Sequence, residues 1–380
     1  MNKILIVFGT RPEAIKMAPI VLALKKEKEV TTEVCVTGQH QEMLYGVLDL
    51  FNIKPDYDLK IMNISKDLFD ITTNILIGMR EVLNKSKPNI VIVHGDTTTS
   101  MAAAVSAFYY KIKICHVEAG LRTNDIFSPW PEEANRAIIS RLASLHFAPT
   151  YKNQENLIAE GIDKKNIIIT GNTVIDALYF VVEKLNKNPD KRIEIEDNIK
   201  NAGYKFSKNK VVLITGHRRE NFGEGFVQIF SGIKRLGYLY PDIDFVYPVH
   251  LNPQVLGPAN VLLNDCKNVY LIRPVEYENF VYLMTKSIFI ITDSGGIQEE
   301  APSLGKPVLV TRRTTERQEG INSGIIKLVG TDADLLVSSA IELIQKYEIF
   351  ESGSNNHNLY GEGKSANLIV SHLINKLVNI

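Results

Sequence analysis

Acidic side chains follow two apolar segments in the first half of the chain. Asp96 comes shortly after the run Ile90–Val93, and Glu118 directly follows the run Ile112–Val117. Two carboxylates at the ends of neighbouring strands are suited to moving a proton on and off carbon, with pKa values set apart by their surroundings. The alternatives are a helix N-cap at Asp96, which precedes a threonine-rich segment, and a salt-bridged loop residue at Glu118.

A third acid follows the chain's only tryptophan. Trp130 lies between two prolines, and Glu132 and Glu133 then open a predicted helix. We treat Glu132 as a third acid/base candidate. The alternative is that acidic residues in a first turn serve only the helix dipole.

The second half of the chain supplies basic groups. His217, Arg218 and Arg219 follow the apolar run Val211–Thr215. Guanidinium groups beside a histidine that donates to phosphate suit a diphosphate, whose charge would raise the pKa of the histidine. The alternative for a lone histidine at this position is a structural role.

A glycine turn follows the run Ser287–Thr292. Its segment Ser294–Gly296 would expose backbone N–H groups to a phosphate at the start of a helix. Glu300 lies one turn further on, where its carboxylate can accept hydrogen bonds from ribose hydroxyls. Arg317 is a further phosphate partner, and a turn capped by serine is the alternative.

The end of the first apolar run predicts another anion site. After Ile4–Phe8, Gly9 permits a tight turn and Pro12 suits the first position of a helix. The helix N-terminus, Arg11 and Lys16 together can hold an anion. The alternative is an ordinary strand-to-helix turn with surface charges.

Composition and missing motifs exclude several classes of protein. The 380 residues include 43 Lys and Arg and 43 Asp and Glu, and this zero net charge argues against nucleic-acid or membrane-surface partners. The ATPase motif G-x-x-x-x-G-K-[ST], the dinucleotide motif G-x-G-x-x-G and the hydrolase motif G-x-S-x-G do not occur. The histidines lack the spacing of metal ligands, so we expect neither a metal ion nor another cofactor.

Cysteine usage and hydropathy predict a cytoplasmic protein. Cys35, Cys115 and Cys266 form no C-x-x-C pair, which fits a reducing compartment. No segment approaches the ~20 apolar residues of a membrane span. The apolar run at the N-terminus is too short for a signal peptide.

The scaffold that positions these residues follows from the pattern of apolar runs. Ten short runs that are apolar throughout alternate with amphipathic segments in both halves of the chain. Such runs indicate parallel strands covered by helices on both faces, and two sets predict an α/β protein with two doubly wound domains. Ligands of these sheets bind beyond the carboxyl ends of the strands, where the polar residues above fall.

Eight motifs, in the same order, resemble the non-hydrolysing UDP-N-acetylglucosamine 2-epimerase family. The matching segments are FGTRPEAIKMAP (Phe8–Pro19), HGDTTT (His94–Thr99), HVEAGLRT (His116–Thr123), SPWPEEANR (Ser128–Arg136), TGNTVIDAL (Thr170–Leu178), TGHRREN (Thr215–Asn221), PVHLNP (Pro248–Pro253) and DSGGIQEEAPSLGKPVLV (Asp293–Val310). They cover nearly the whole chain. The chain departs from the family pattern RDTTERPE at Arg313 and Gln318, on either side of the expected Arg317 contact.

The resemblance implies two Rossmann-like domains in a glycosyltransferase-B-type arrangement. Residues 1–170 together with 364–380 would form an N-terminal domain that carries the acid/base groups, because the final helix crosses back onto it. Residues 171–363 would form the UDP-binding domain. The resemblance also implies a homodimer.

The resemblance assigns site residues motif by motif. The implied catalytic residues are Asp96, Glu118 and Glu132, with His217 assisting. The implied substrate-binding residues are Arg11, Lys16, Arg136, His217, Arg218, Phe280, Ser294, Gly295, Gly296, Glu300 and Arg317. A second, activating UDP-sugar site would lie near Gln39 and His40.

The implied reaction is reversible epimerisation of UDP-N-acetylglucosamine to UDP-N-acetylmannosamine. The proton on carbon 2 has no adjacent carbonyl, so its removal requires departure of UDP to give a glycal, followed by re-addition. This route needs neither a metal nor a redox cofactor, and its product would supply surface-polysaccharide synthesis. The alternatives are an epimerase for another 2-acetamido UDP-sugar, a hydrolysing epimerase, a glycosyltransferase of the same architecture and a non-catalytic nucleotide-sugar sensor.

Overall fold

The computed structural model describes residues 2–38, 41–63, 65–347 and 359–378. Over these residues, strands and helices alternate along the chain and form two sheets, one of seven strands and one of six. Every strand pair in both sheets is parallel. The predicted α/β class with two doubly wound sheets is therefore confirmed.

The strands are short, and most of them are buried. In chain order the thirteen described strands are β1 (Asn2–Phe8), β2 (Val30–Val36), β3 (Tyr57–Asp58), β4 (Ile90–His94), β5 (Lys113–Val117), β6 (Leu145–Ala148), β7 (Ile167–Ile169), β8 (Lys210–Thr215), β9 (Ile243–Pro248), β10 (Val269–Ile272), β11 (Ser287–Thr292), β12 (Val308–Val310) and β13 (Ile326–Leu328). The apolar runs in the sequence correspond to ten of these strands, and β3, β6 and β13 were not predicted.

Helices follow most of the strands. The described α-helices are α1 (Arg11–Leu24), α2 (Gln41–Leu50), α3 (Leu68–Ser86), α4 (Thr98–Tyr109), α5 (Glu132–Leu142), α6 (Tyr151–Ala159), α7 (Thr173–Lys187), α8 (Pro189–Ala202), α9 (Glu224–Leu239), α10 (Pro253–Leu263), α11 (Tyr277–Lys286), α12 (Ile297–Ser303), α13 (Gln318–Asn322), α14 (Ala333–Gln345) and α15 (Ser365–Val378). Threonine hydroxyls of Thr10, Thr97 and Thr150 cap α1, α4 and α6, which fixes where these helices begin.

The strand order of each sheet reverses once. The first sheet has the order β3-β2-β1-β4-β5-β6-β7, and the second has the order β10-β9-β8-β11-β12-β13. The reversals lie between β1 and β4 and between β8 and β11. Ligands of doubly wound sheets bind at such switch points, beyond the carboxyl ends of the strands.

The chain divides into two compact units. Unit 1 comprises Met1–Ala177 and Tyr360–Ile380, and unit 2 comprises Leu178–Leu359. Unit 1 therefore contains the first sheet and also α15, which packs against α1. Each unit has its own apolar core, built from strands and the helices that cover them.

Three further properties of the described residues bear on function. No helix in this part of the chain is both long and apolar enough to cross a bilayer. Within the same residues, no three His, Cys, Asp or Glu side chains form a group that would hold a metal ion. Cys35, Cys115 and Cys266 are buried free thiols.

Candidate functional site

A buried carboxylate ties together two loops at the switch point of unit 1. Glu13 is 2% exposed and accepts hydrogen bonds from the backbone N–H groups of Gly9 and Thr10 at 3.0 and 2.8 Å. It also accepts from the hydroxyls of Thr97 and Ser100 at 2.6 and 2.9 Å. The turn after β1 is thus fastened to the start of α4. Sequence reasoning missed Glu13, although its spacing from Thr10 is that of a capping box.

Crowding at the end of β1 explains the glycine that follows it. A Cβ atom at Gly9 would lie 2.0 Å from Thr37 Oγ1 and 2.5 Å from Thr99 Oγ1. These two hydroxyl oxygens are themselves 2.9 Å apart and hydrogen-bonded. Arg11, the first residue of α1, follows this tight turn and is half-buried. Its Nη1 lies 3.8 Å from Met43 Sδ.

Asp96 is held by an arginine and does not cap a helix. Arg136 donates to Asp96 Oδ2 from Nε at 2.9 Å and from Nη2 at 2.6 Å. Its remaining nitrogen, Nη1, donates to Glu133 Oε2 at 2.9 Å. The N-cap of α4 is Thr97, so the helix-cap interpretation of Asp96 is wrong. The structure places Arg136, predicted to bind substrate, on this carboxylate.

Glu118 lies buried among nitrogen donors. Its Oε2 forms an ion pair with Lys16, accepts a hydrogen bond from Asn172 Nδ2 at 2.6 Å and lies 3.7 Å from His94 Nε2. Burial alone would raise the pKa of Glu118, but the Lys16 ammonium and His94 lower it well below its ordinary value. Glu118 is therefore an ionised base at neutral pH, and the structure places Lys16, a predicted phosphate ligand, beside it.

The backbone at Glu118 is unusual. Its φ of 59° lies in the left-handed region, which disfavours residues other than glycine by roughly 1–2 kcal/mol. Residues kept in such conformations concentrate at functional sites. The backbone strain at Glu118 is thus an independent reason to regard this loop as functional.

Asp96 and Glu118 share one edge of the sheet. β4 and β5 pair from Ile90 with Lys113 to His94 with Val117, and the Gly95 N–H then donates to the Val117 carbonyl at 2.9 Å. A Cβ atom at Gly95 would lie 3.7 Å from Glu118 Oε1. Two of the three predicted acids therefore lie at the ends of neighbouring strands.

The third acid begins a helix of the same unit. Glu132 is the first residue of α5, whose N-cap, Pro131, provides no side-chain hydrogen bond. Its Oε2 is buried and has no hydrogen-bond partner among the residues that the structure describes. A buried carboxyl oxygen without a partner is costly unless a ligand or a proton meets it.

In unit 2, a buried aspartate shapes the loop after β8. Asp293 is fully buried and accepts hydrogen bonds from the backbone N–H groups of His217 and Arg218 at 2.9 and 2.8 Å. Its Oδ1 lies 3.4 Å from His217 Nδ1. Sequence reasoning did not select Asp293, although its place directly after the β11 run was an available signal.

His217 is half-exposed and stacked on a second histidine. Its side chain is 46% exposed, and its ring centroid lies 5.8 Å from that of His250. Desolvation lowers the pKa of His217 even though the Asp293 carboxylate favours the charged form. The ring is thus a neutral imidazole at neutral pH, able to donate from one nitrogen.

Arginines of unit 2 gather around shared carboxylates. Arg317 donates to Glu299 Oε1 at 2.9 Å and to Glu316 Oε2 at 3.2 Å, and Arg312, which was not predicted, donates to the same Glu316 oxygen at 3.1 Å. Burial would raise the pKa of Glu316, but these two arginines lower it to about 2. Arg218 Nε is buried without a hydrogen-bond partner among the described residues. Burial and the nearby Arg312 lower the pKa of Arg218.

The predicted glycine turn packs directly on Arg317. A Cβ atom at Gly295 would lie 3.0 Å from Arg317 Cζ, so the guanidinium group covers the turn Ser294–Gly296. The Ser294 N–H donates to Thr292 Oγ1 at 2.9 Å and is therefore occupied within the turn. The ends of β8 and β11 and the loop after β12 thus bring together the predicted phosphate ligands of unit 2.

The remaining predicted residues of unit 2 lie near a tyrosine. Glu300 Oε1 accepts a hydrogen bond from the hydroxyl of Tyr277 at 2.6 Å. Phe280 is half-buried and lies three residues after Tyr277 in α11, so both side chains occupy one face of that helix. Tyr277 was not predicted.

The two departures from the family pattern lie in the loop that carries Arg317. Gln318 Nε2 donates to the Thr315 carbonyl at 2.8 Å, and Arg313 is exposed. Thr315 Oγ1 also accepts the Arg317 N–H at 3.2 Å. Gln39 and His40, the predicted activator residues, lie outside the described residues.

Comparison with known proteins gives one consistent family. Residues 22–374 match the family model described as UDP-N-acetylglucosamine 2-epimerase. A UDP-N-acetylglucosamine 2-epimerase of Campylobacter jejuni is 56% identical over 98% of each chain, and one of Escherichia coli K12 is 50% identical over 100% of each chain. The crystal structure of the UDP-GlcNAc 2-epimerase from Neisseria meningitidis bound to UDP-GlcNAc has a TM-score of 0.92 and 51% identity, covering 98% of this chain and 100% of that chain.

Proposed function

The chain belongs to the UDP-N-acetylglucosamine 2-epimerase family, and we propose that it interconverts UDP-N-acetylglucosamine and UDP-N-acetylmannosamine. The observation that carries the proposal is the pair of carboxylates at adjacent strand ends of unit 1, Asp96 held by Arg136 and Glu118 held by Lys16. Inverting a carbon requires one group that removes a proton and another that returns it.

The acids of unit 1 act on carbon 2. One carboxylate takes the proton from carbon 2 while the bond from carbon 1 to the phosphate oxygen breaks, and UDP leaves with the bonding electrons to give a glycal. Protonation of carbon 2 on the opposite face and re-addition of UDP complete the inversion. Glu118 enters as the base because its partners keep it ionised, and Asp96 and Glu132 are the other proton carriers.

The hydrogen-bond donors of unit 2 serve the diphosphate. His217, Arg218, Arg317 and the turn Ser294–Gly296 stabilise the negative charge that grows on UDP as it departs. Arg218 Nε is buried and has no hydrogen-bond partner among the described residues, and an anionic ligand would accept a hydrogen bond from it. Glu300 and Phe280 hold the nucleoside, and Arg11 adds a cation from unit 1.

A single experiment separates this reaction from its alternatives. The protein is incubated with UDP-N-acetylglucosamine alone in heavy water and the sugar is followed by NMR. Epimerisation gives UDP-N-acetylmannosamine with deuterium at carbon 2. Free N-acetylmannosamine would indicate a hydrolysing enzyme. An unchanged sugar, which a transferase without acceptor or a sensor would leave, contradicts the proposal.

We also propose that the protein is a homodimer. Phe108, Tyr109 and Ile138 are 54%, 73% and 41% exposed on α4 and α5 of unit 1. Phe108 and Tyr109 border a pocket that Leu142, one turn after Ile138, also lines. Exposed apolar groups of this size favour association with a second copy.

We also propose that the protein works in the cytoplasm. Three buried free thiols fit the reducing cytoplasm. In that compartment the product, an activated N-acetylmannosamine, supplies enzymes of surface-polysaccharide synthesis.

A further inference from the structure

The motif Thr170–Leu178 contains an asparagine that contacts the proposed base. Asn172 is 3% exposed, and its Nδ2 lies 2.6 Å from Glu118 Oε2. A hydrogen bond to a carboxylate is stronger than one between neutral groups, and more so where water is excluded. Neither the sequence motifs nor the proposed mechanism gives Asn172 a function.

The orientation of the Asn172 amide is fixed by a second contact. Its Oδ1 accepts the backbone N–H of Val174 at 3.1 Å, an N-cap bond at the start of α7. Because the carbonyl oxygen must face this N–H donor, the amide nitrogen must face Glu118. The side chain therefore has no rotational freedom to leave the carboxylate.

The backbone of Asn172 is fixed as well. Its N–H donates to the Tyr360 carbonyl at 2.6 Å, where the chain re-enters unit 1. The preceding Gly171 has a φ of 78°, and a Cβ atom there would lie 2.9 Å from the Tyr360 carbonyl oxygen. Asp176 accepts the N–H groups of Ser365 and Ala366 at 3.2 and 2.9 Å, which fastens the start of α15 to the same segment.

We propose that Asn172 is a positioning residue for Glu118: its amide fixes the orientation of the carboxylate that removes the proton from carbon 2. The inference rests on the proposed function only in calling Glu118 the base. A purely structural function would end at the Val174 N–H, which a serine or an aspartate at this position would also accept.

The effect of losing this hydrogen bond depends on the other neighbours of Glu118. Lys16 approaches from α1 and His94 from the end of β4, and both remain when Asn172 is replaced. Without the Nδ2 donor, the pKa of Glu118 rises towards its ordinary value.

Two substitutions separate positioning from helix capping. Asn172→Ser and Asn172→Asp both keep an acceptor for the Val174 N–H, but neither keeps the donor to Glu118. We expect kcat for UDP-N-acetylglucosamine to fall about 10- to 100-fold in both, with KM nearly unchanged. The melting temperature should stay nearly unchanged in Asn172→Ser and fall in Asn172→Asp, which buries a second carboxylate beside Glu118. Asp176→Asn is the matched control, because it loosens α15 without touching Glu118: its melting temperature falls and its kcat stays within about twofold. Near-wild-type kcat in the serine and aspartate variants would overturn the proposal.

A measurement without substrate keeps this inference separate from the proposed activity. Protein labelled with ¹³C in its glutamate carboxyl groups is titrated by NMR, and the Glu118 signal is identified by its loss in Glu118→Gln. The Asn172→Ser variant should titrate at higher pH than the wild type. Equal midpoints would refute the positioning function even in an active epimerase, and a raised midpoint in an inactive protein would refute only the proposed reaction.

Discussion

The guanidinium group of Arg136 holds Asp96 through two nitrogens, with Nε 2.9 Å and Nη2 2.6 Å from Oδ2. Thr97, and not Asp96, caps α4. The Asp96 carboxylate is 24% exposed and forms an ion pair with Arg136. This arrangement fixes the orientation of a candidate acid/base group.

The first prediction concerns Asp96 itself. Asp96→Asn keeps the size of the side chain but removes its capacity to carry a proton, so turnover should fall by about 10²–10⁴-fold. The affinity for UDP should stay within a few-fold, because most of the proposed diphosphate ligands belong to unit 2. NMR turnover assays and calorimetric titration with UDP measure the two quantities. Equal losses in both would make Asp96 a structural residue.

The second prediction concerns the loop that carries His217. Asp293→Ala leaves the backbone N–H groups of His217 and Arg218 without their acceptor, so the loop should rearrange and UDP affinity should fall at least about tenfold. Asp244→Ala is the matched control. Asp244 is also a fully buried aspartate of unit 2, but it lies near the start of β9, away from the carboxyl ends of the strands.

Both variants should lose stability, and only Asp293→Ala should lose UDP affinity. Calorimetry with UDP, run beside thermal unfolding, distinguishes these effects. The same loss of affinity in both variants would show that UDP binding reports general stability and not the geometry of this loop.

The third prediction concerns pH. Burial lowers the pKa of His116 to about 3 and that of His146 to about 4, from an ordinary value of 6.5. Below pH 6.5 the unfolded chain binds protons that the folded chain does not, so stability is full above this pH and falls as the pH decreases towards these values. Each histidine contributes a slope of about 1.4 kcal/mol per pH unit.

His116→Gln tests this slope. His116 Nε2 lies 2.7 Å from the Gly95 carbonyl oxygen, and a glutamine amide can replace that donor without titrating. Urea unfolding followed by circular dichroism between pH 6.5 and 5 should show a shallower loss of stability in the variant. Parallel pH profiles for the two proteins would contradict the assignment.

The fourth prediction concerns assembly. Tyr109→Glu places a charge on the exposed apolar surface of α4, so it should shift the protein from dimer to monomer in sedimentation velocity. Val261→Glu is the control, because Val261 is 81% exposed in α10 and belongs to unit 2, whereas the apolar surface of α4 belongs to unit 1. A dimer that survives Tyr109→Glu would place the interface elsewhere.

Buried parallel strands are the part of the fold that the sequence predicts best. β11 spans Ser287–Thr292, as its apolar run predicts, because the interior of a strand covered on both faces is apolar. β6 was missed because His146, which is 1% exposed, interrupts its four-residue run. β3 contains only Tyr57 and Asp58 and carries too little pattern to detect.

The candidate residues were predictable from the sequence, whereas the pairs that they form were not. Polar residues directly after apolar runs identified Asp96, Glu118 and His217 by position alone. Arg136 is 40 residues from Asp96 and Lys16 is 102 residues from Glu118, and only the folded sheet order brings these pairs together. Local spacing therefore finds groups that could do chemistry, and tertiary structure decides which basic group each carboxylate contacts.

Hydrogen exchange tests the proposal that one UDP-sugar engages both the acids of unit 1 and the diphosphate ligands of unit 2. Mass spectrometry would follow peptides covering 94–100 and 116–123 in unit 1, and 215–222 and 293–300 in unit 2, as UDP-N-acetylglucosamine is added. We expect protection of all four peptides with one half-saturation concentration. Protection confined to unit 2 at saturating substrate would contradict it.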